Sequence, residues 1–253
     1  MPVGEELLAL LRGGQRILVF TGAGISTGSG IPDYRGPQGL WKKRQPVYFD
    51  EFMSSEEKRV EYWTYKLEGW RSFRDAAPND THRAIAALER LGRIQAVVTQ
   101  NIDGLHQAGG SSDAKVVEVH GTNRAVECVK CDRRLPPDPV HEWFAEHRRT
   151  PVCEVCGGWL KSATISFGQP LRPEVMRRAM QEAAQADLVL ALGSTLSVYP
   201  AAGIPLVAAK AGAPYVIVNQ GETEHDGVAT LRIDGDVAET IGPAVRRLAE
   251  ESS

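Results

Sequence analysis

All four cysteines of this 253-residue chain stand in two Cys-x-x-Cys pairs, Cys128/Cys131 and Cys153/Cys156. Two such pairs about 20 residues apart have the spacing of a four-thiolate zinc site, in which each pair forms a knuckle and the loop between them closes a tetrahedron. Gly157 and Gly158 follow the second pair and supply the backbone freedom a knuckle needs. A redox dithiol would not need a twin, and disulfides are rare in reducing compartments. Four thiolates leave no open coordination position, so the expected metal is structural rather than catalytic.

His120 is the strongest base candidate among six histidines. It follows an apolar run and precedes Gly121, so its ring is free to face a crevice with little crowding. An imidazole of pKa about 6.5 takes a proton from a hydroxyl or a water near neutrality. A lone histidine is more often structural, and His82, His106, His141, His147 and His225 are read that way. Other polar residues gather just after apolar runs: Gly22, Gln100 to Asp103, Gly193 to Thr195, and Asn219.

The runs that must position these residues are short and apolar. Ile17 to Phe20 suits a strand buried on both faces of a parallel sheet, and Gly22, Ala23 and Gly24 follow at once. A strand entering a small-residue turn brings backbone N–H groups close to a phosphate, or else makes a tight turn with no ligand. The dinucleotide fingerprint of hydride-transfer enzymes does not fit: Thr27 stands where the third glycine belongs, and Gly28 comes one residue late. Nor does a strand ending in an acidic residue follow about 20 positions on, because Trp41 to Pro46 is no strand. Further strands are expected at Ile94–Thr99, Val116–Val119, Ala163–Phe167, Leu188–Leu192, Tyr215–Val218 and Thr230–Ile233. Helices are expected at Glu5–Leu11, over most of Asp50–Phe73, from Asn79 onward, and at Pro173–Ala184 and Val237–Leu248. Ser26 or Thr27 is a candidate cap for a brief helix, and Pro32 to Gly39 reads as a long loop able to cover a ligand.

Alternating strands and helices predict an α/β chain with a doubly wound parallel, Rossmann-like sheet and a smaller inserted zinc-binding domain. The expected division is 1–121 and 161–253 for the large domain, with a helical and loop insertion around 37–75, and 122–160 for the zinc module. Strand carboxyl ends line the crevice of such sheets, so the scattered polar residues are expected to converge there. A net charge of −3 gives no case for general nucleic-acid binding. With no ~20-residue apolar run and no secretory-type leader, the cytoplasm is the expected compartment.

Taken together, GAGIS at 22–26, GIPDYRG at 30–36, TQNIDGLH at 99–106, HG at 120–121, the cysteine pairs, GSTLSVYPAAGIP at 193–205 and IVN at 217–219 resemble the sirtuin family, in the family's order. The resemblance implies an NAD-dependent protein-lysine deacylase, with NAD as co-substrate, structural Zn2+, and acylated-lysine proteins or peptides as partners. It implies that Gly22, Ala23 and Gly24 lie against the pyrophosphate, and that Asp33, Tyr34, Arg35 and Trp41 belong to a mobile cofactor loop. Gln100 would contact the nicotinamide ribose, Asn101 and Asp103 would hold the nicotinamide end, and Gly193, Ser194, Thr195, Asn219 and Val237 would line the adenosine half. His120 matches the family's general base, with Asn101 beside it in catalysis. The acyl oxygen would attack the ribose carbon bearing nicotinamide. His120 would then help a ribose hydroxyl close onto the acyl carbon, yielding free lysine, nicotinamide and acylated ADP-ribose. Ser166, Phe167 and Gly168 would sandwich the peptide with Leu196 and Val198 by strand addition.

The chain departs from the family pattern in places. Tyr34 replaces the usual Phe, Ser194-Thr195 inverts Thr-Ser, Gln169 replaces Glu, and Ser166 stands where a larger apolar residue is common. The Tyr-x-x-Arg pair by which some sirtuins prefer acidic acyl groups is missing, since Tyr65 follows Tyr62 and Glu68 follows Tyr65 at that spacing. An uncharged acyl group, acetyl above all, is therefore expected. Two other readings use the same residues: an NAD-dependent mono-ADP-ribosyltransferase, and a non-enzymatic NAD-sensing zinc module.

Overall fold

The computed structural model describes residues 3–33 and 45–251. Six strands form one parallel sheet: β1 (Ile17–Thr21), β2 (Ile94–Thr99), β3 (Val116–Glu118), β7 (Leu188–Leu192), β8 (Tyr215–Asn219) and β9 (Leu231–Asp234), in the order β3-β2-β1-β7-β8-β9. The apolar run of β1 is buried throughout because both sheet faces are covered. Ile17 and Val19 join one core with α1 (Val3–Gly13), α4 (Asp80–Arg90) and α9 (Val237–Glu251). Leu18 and Phe20 point the other way, into a core with α7 (Pro173–Ala184) and α8 (Gly203–Lys210). The chain leaves β1 toward β2 on one side and β7 toward β8 on the other, so the strand order reverses between β1 and β7. The carboxyl ends of those two strands therefore open a crevice.

A second sheet has three antiparallel strands in the order β5-β4-β6: β4 (Gly121–Cys128), β5 (Arg134–Leu135) and β6 (Leu160–Thr164). It packs with α2 (Phe49–Ser54), α3 (Glu56–Arg74) and α6 (Pro137–His147) around Phe52, Trp63, Val126, Phe144 and Leu160. The smaller lobe is thus built from two stretches of chain, and the helical segment before α4 belongs to its core. Trp63 is fully buried, and its indole N–H donates to the Leu160 carbonyl at 3.0 Å.

Most expected elements are present, with three differences. No strand of the large sheet lies at Ala163–Phe167; the strand there is β6, which shares only Ala163 and Thr164 with that reading and pairs with β4 in the small sheet, where Thr164 faces Gly121. All five β6 residues are buried although Lys161, Ser162 and Thr164 are polar, so local sequence does not say which sheet it joins. The helix read across Asp50–Phe73 is broken at Ser55, whose extended backbone ends α2 and whose hydroxyl accepts from Lys58 N to cap α3. Ser26 stands at the N-cap position of the second of two short 3-10 turns but makes no side-chain capping bond, because its hydroxyl has other partners.

Candidate active site

The crevice at the ends of β1 and β7 is one cleft of about 1160 Å³ that continues between the two lobes. Its first wall is the glycine turn after β1, packed on the loop after β7. A Cβ on Gly24 would lie 2.8 Å from Gly193 Cα, and one on Gly193 (φ 62°) only 2.6 Å from Ile25 N, so both positions require glycine. The Gly22 and Gly24 amides are already bonded, to the Leu192 and Gly193 carbonyls at 3.1 and 2.9 Å. Among the described residues, the Ala23 amide is the one of the three with no carbonyl partner, and it stands at the start of the first 3-10 turn. Ala23 and Gly24 line the cleft, whereas Gly22 lies behind them.

A polar network occupies the floor. Asn101, 7% exposed, donates from Nδ2 to the Gly22 carbonyl and to Ser26 Oγ, both at 3.1 Å. Ser26 Oγ in turn donates to Asp103 Oδ2 at 2.7 Å, and Asp103 Oδ1 accepts from Leu105 N at 2.9 Å. Asp103 does not line the cleft; it fixes Ser26 and, through it, Asn101. Beneath, Thr21 Oγ1 donates to Thr99 Oγ1 at 2.7 Å and contacts His106 Nε2 at 2.9 Å, while Thr99 Oγ1 accepts from Asn101 N at 3.0 Å. His82 and His106, read from sequence as structural, lie buried under this loop with ring centroids 5.2 Å apart. Burial pulls their pKa values down to about 4 and about 3, so both are neutral supports.

His120 stands at the end of β3, where the chain crosses into the small lobe. Its Nδ1 lies 3.1 Å from the Gln100 carbonyl, which can only accept, so Nδ1 carries the proton and Nε2 keeps its lone pair. Burial holds the ring's pKa below the usual histidine value, opposed by that hydrogen bond. The crossing itself is tight: a Cβ on Gly121 (φ 74°) would sit 2.2 Å from the Ala163 carbonyl oxygen. Gln100 is held at its other end by Ser194 Oγ, which donates to Oε1 at 2.8 Å.

The cleft brings together Ala23, Gly24, Asp33, Gln100, Asn101, His120, Gly193, Ser194, Thr195, Asn219 and Val237 of the residues expected at the cofactor or in catalysis. Tyr34, Arg35 and Trp41 lie outside the described residues. On the peptide side Ser166, Phe167, Gly168 and Val198 line the cleft. Leu196 does not: its side chain is fully buried in the core under α8, and its N–H donates to Ser194 Oγ at 3.1 Å. The Gln169 side chain folds back and accepts from Ser166 N at 3.1 Å, while Phe49 N donates to the Phe167 carbonyl at 2.8 Å. Sequence reading missed the small-lobe lining of Tyr62, Lys66 and His141. Only the helical spacing of Tyr62 and Lys66 on one face of α3 was there to signal it.

The cysteine sulfurs of Cys128, Cys131, Cys153 and Cys156 all lie within 4.8 Å of one another. Two separations are 3.5 Å (Cys128–Cys156) and 3.9 Å (Cys131–Cys153). Zn–S bonds of ~2.3 Å in a tetrahedron put sulfurs ~3.8 Å apart, so the set fits a four-thiolate zinc. Gly157 is left-handed at φ 69°, and a Cβ on Gly158 would meet Cys128 Sγ at 2.8 Å. None of the four cysteines lines the cleft.

Residues 22–200 match the family model described as "Sir2 family". A curated relative from Rhodopseudomonas palustris, named NAD-dependent protein deacetylase, is 44% identical, with 95% of each chain covered. Another of that name, from Thermotoga maritima, is 40% identical over 98% of this chain and 97% of its own. Among solved structures, a Sir2 complex with p53 peptide and NAD+ aligns with a TM-score of 0.85 at 38% identity, covering 98% of both chains. A Sir2 structure bound to a propionylated peptide aligns with a TM-score of 0.86 at 36% identity, covering 100% of this chain and 99% of that one. With a glycine turn, a Ser26–Asn101–Asp103 floor and a tautomer-fixed His120 in one cleft, the chain belongs to the Sir2 family.

Proposed function

We infer that the protein is an NAD-dependent protein-lysine deacylase, acting on acetyl-lysine and consuming NAD to give nicotinamide, free lysine and O-acyl-ADP-ribose. The observation that carries the reading is His120, with Nδ1–H committed to the Gln100 carbonyl and Nε2 unprotonated, in the same cleft as the Asn101 network. NAD supplies the electrophilic ribose carbon and the hydroxyl that receives the acyl group. The Ala23 amide meets the pyrophosphate, and Gly193, Ser194, Thr195, Asn219 and Val237 line the adenosine half. Asn101, oriented by Ser26 and Asp103, holds the nicotinamide end, and Asp33 lines the same cleft. His120 Nε2 takes the proton of the ribose hydroxyl as that oxygen closes on the acyl carbon, and a neutral imidazole is the form able to do so.

Ser166, Phe167 and Gly168 face the peptide backbone, with Val198 opposite and Leu196 contributing through its backbone position. The zinc module maintains the small lobe, which we place at 121–164 together with the segment around 45–74, against a large domain formed by the rest. Its partners are acylated-lysine proteins. The low net charge of −3 supports no nucleic-acid role. Among the described residues no helix is long and apolar enough to cross a membrane; we assign the protein to the cytoplasm.

Purified protein with NAD and an acetyl-lysine peptide is expected to release nicotinamide only when both are present. Formation of free lysine and acyl-ADP-ribose that persists unchanged in His120→Ala would overturn the assignment of the base, whose step follows nicotinamide release. Labelled NAD separates the deacylase from a mono-ADP-ribosyltransferase: label in soluble acyl-ADP-ribose supports the first, label retained on protein the second.

A further inference from the structure

Hydride-transfer folds fix the adenosine ribose with a carboxylate at the end of the second strand, whereas β2 here ends in Thr99. The turn after β8 lies on the adenosine side instead, and Asn219 and Gln220 line the cleft there. Residues 220–225 form no helix or strand, so side chains must hold that turn in shape. Asn219 is 7% exposed, and its Nδ2 donates to the carbonyls of Gln220 and Gly221 at 2.9 and 3.1 Å. Both amide protons are thereby committed to the turn. Oδ1, with no partner among the described residues, is the atom left to accept a hydroxyl from the cleft.

Behind the turn stands Arg232, on the edge strand β9, with its side chain 21% exposed. Its Nε donates to Asp226 Oδ1 at 2.7 Å and its Nη1 to the Asn219 carbonyl at 3.1 Å. Nη1 and Nη2 also reach the carbonyls of Ile233 and Gly221. One planar guanidinium thus spans both ends of the turn, which the point charge of an ammonium does not. Asp226 carries the grip onward, accepting from Thr223 N at 3.1 Å and Thr223 Oγ1 at 2.6 Å. Glu224 N then donates to the Thr195 carbonyl at 3.1 Å, and the His225 ring lies between the Tyr199 and Tyr215 hydroxyls at 3.1 and 3.0 Å. Thr195 and Tyr199 line the cleft, so this turn and the loop after β7 are braced as one wall. Arg232 itself does not line it. Resting on the deacylase reading, we propose that Arg232 is a positioning residue for the adenosine half of NAD: it fixes the Asn219 and Gly221 carbonyls and so aims Asn219 Oδ1 at a ribose hydroxyl. Asn101 and His120 follow β2 and β3, on the other side of β1 in the sheet. Loss of Arg232 therefore weakens NAD binding without slowing the chemical step.

The test measures initial rates of nicotinamide release with an acetyl-lysine peptide, varying NAD and peptide in turn, and ADP-ribose binding by calorimetry. Arg232→Met is expected to raise KM for NAD about tenfold or more, the scale of one lost charge-assisted hydrogen bond. Its kcat and its KM for the peptide are expected to stay within about twofold of wild type, while Kd for ADP-ribose rises by the same factor as KM for NAD. Arg232→Lys, which keeps the charge but not the fork, is expected to fall between the two. Asp226→Asn is expected to raise KM for NAD a few-fold, and the double variant to be no worse than Arg232→Met alone, because both act through one turn. Unchanged KM for NAD and Kd for ADP-ribose in a folded Arg232→Met would overturn the proposal. So would equal losses toward NAD and peptide, the mark of a merely structural role. If Arg232→Met fails to fold, unchanged values in Asp226→Asn overturn it alone. Wild-type protein that binds ADP-ribose but releases no nicotinamide would instead overturn the deacylase reading, and the calorimetric comparison would still decide the role of Arg232.

Discussion

Replacing Gly121 by alanine should damage this protein far more than the same change at Gly92, although both glycines are left-handed, at φ 74° and 72°. A non-glycine residue in that region costs about 1–2 kcal/mol on conformational grounds alone. At Gly92 nothing lies within 4 Å of the added Cβ, so that is the whole cost. At Gly121 the Cβ would stand 2.2 Å from the Ala163 carbonyl oxygen and 3.0 Å from Thr164 Cα, both backbone atoms of the paired strand β6. No rotamer change relieves a contact with backbone, so β4 and β6 must separate, at roughly 2 kcal/mol or more beyond the conformational cost. For a chain of this size each 1 kcal/mol moves Tm by about 2–4 °C. The expected result is a loss of about 2–8 °C in Gly92→Ala and at least about 6 °C in Gly121→Ala, measured by calorimetry. Since Gly121 follows His120 directly, kcat should also fall at least tenfold in Gly121→Ala and stay within twofold of wild type in Gly92→Ala. Equal Tm values for the two variants would refute the steric argument, and a folded Gly121→Ala with wild-type kcat would show that the crossing does not position the base.

Two further outcomes follow from the site. Because burial holds His120 below the ordinary histidine value, kcat/KM should rise with pH as the imidazole loses its proton, with a midpoint below about pH 6.5, and be flat through neutrality; a midpoint above that value would contradict the burial. Metal analysis should find one zinc per chain. Because Cys128 and Cys153 belong to the same core as Trp63 and Phe144, a strong chelator or Cys128→Ser should unfold the small lobe, read as Trp fluorescence change and loss of activity; zinc loss with unchanged fluorescence would refute the structural role.

The large sheet was legible because its strands are short apolar runs closed by small polar residues, and burial on both faces leaves that pattern little ambiguity. Ile94–Thr99, Leu188–Leu192 and Pro173–Ala184 are read with the bounds observed. The convergence of Asn101, His120 and Ser194 followed from the rule that strand carboxyl ends share a crevice. Partner choice was not legible: β6, Leu160-Lys161-Ser162-Ala163-Thr164, carries three polar residues although all five are buried, and only its register with β4 assigns it to the small sheet. Leu196 sits among residues that face the cleft, yet its left-handed backbone at φ 55° turns the side chain into the core. Lys66 reads as a solvated helix charge until α6 and β4 close over it, which is a matter of tertiary packing.

The small lobe's composite core has a consequence for how the chain is made. Trp63 donates to a carbonyl 97 residues further along, and Phe52 and Tyr62 share its core with Val126, Phe144 and Leu160. At synthesis rates of about 5–20 residues per second, the apolar face of α3 waits roughly 5–20 s for its partners. During that interval the nascent chain displays an aromatic surface that the finished protein hides. The stretch between α3 and β6 is therefore where the chain most needs protection from its neighbours.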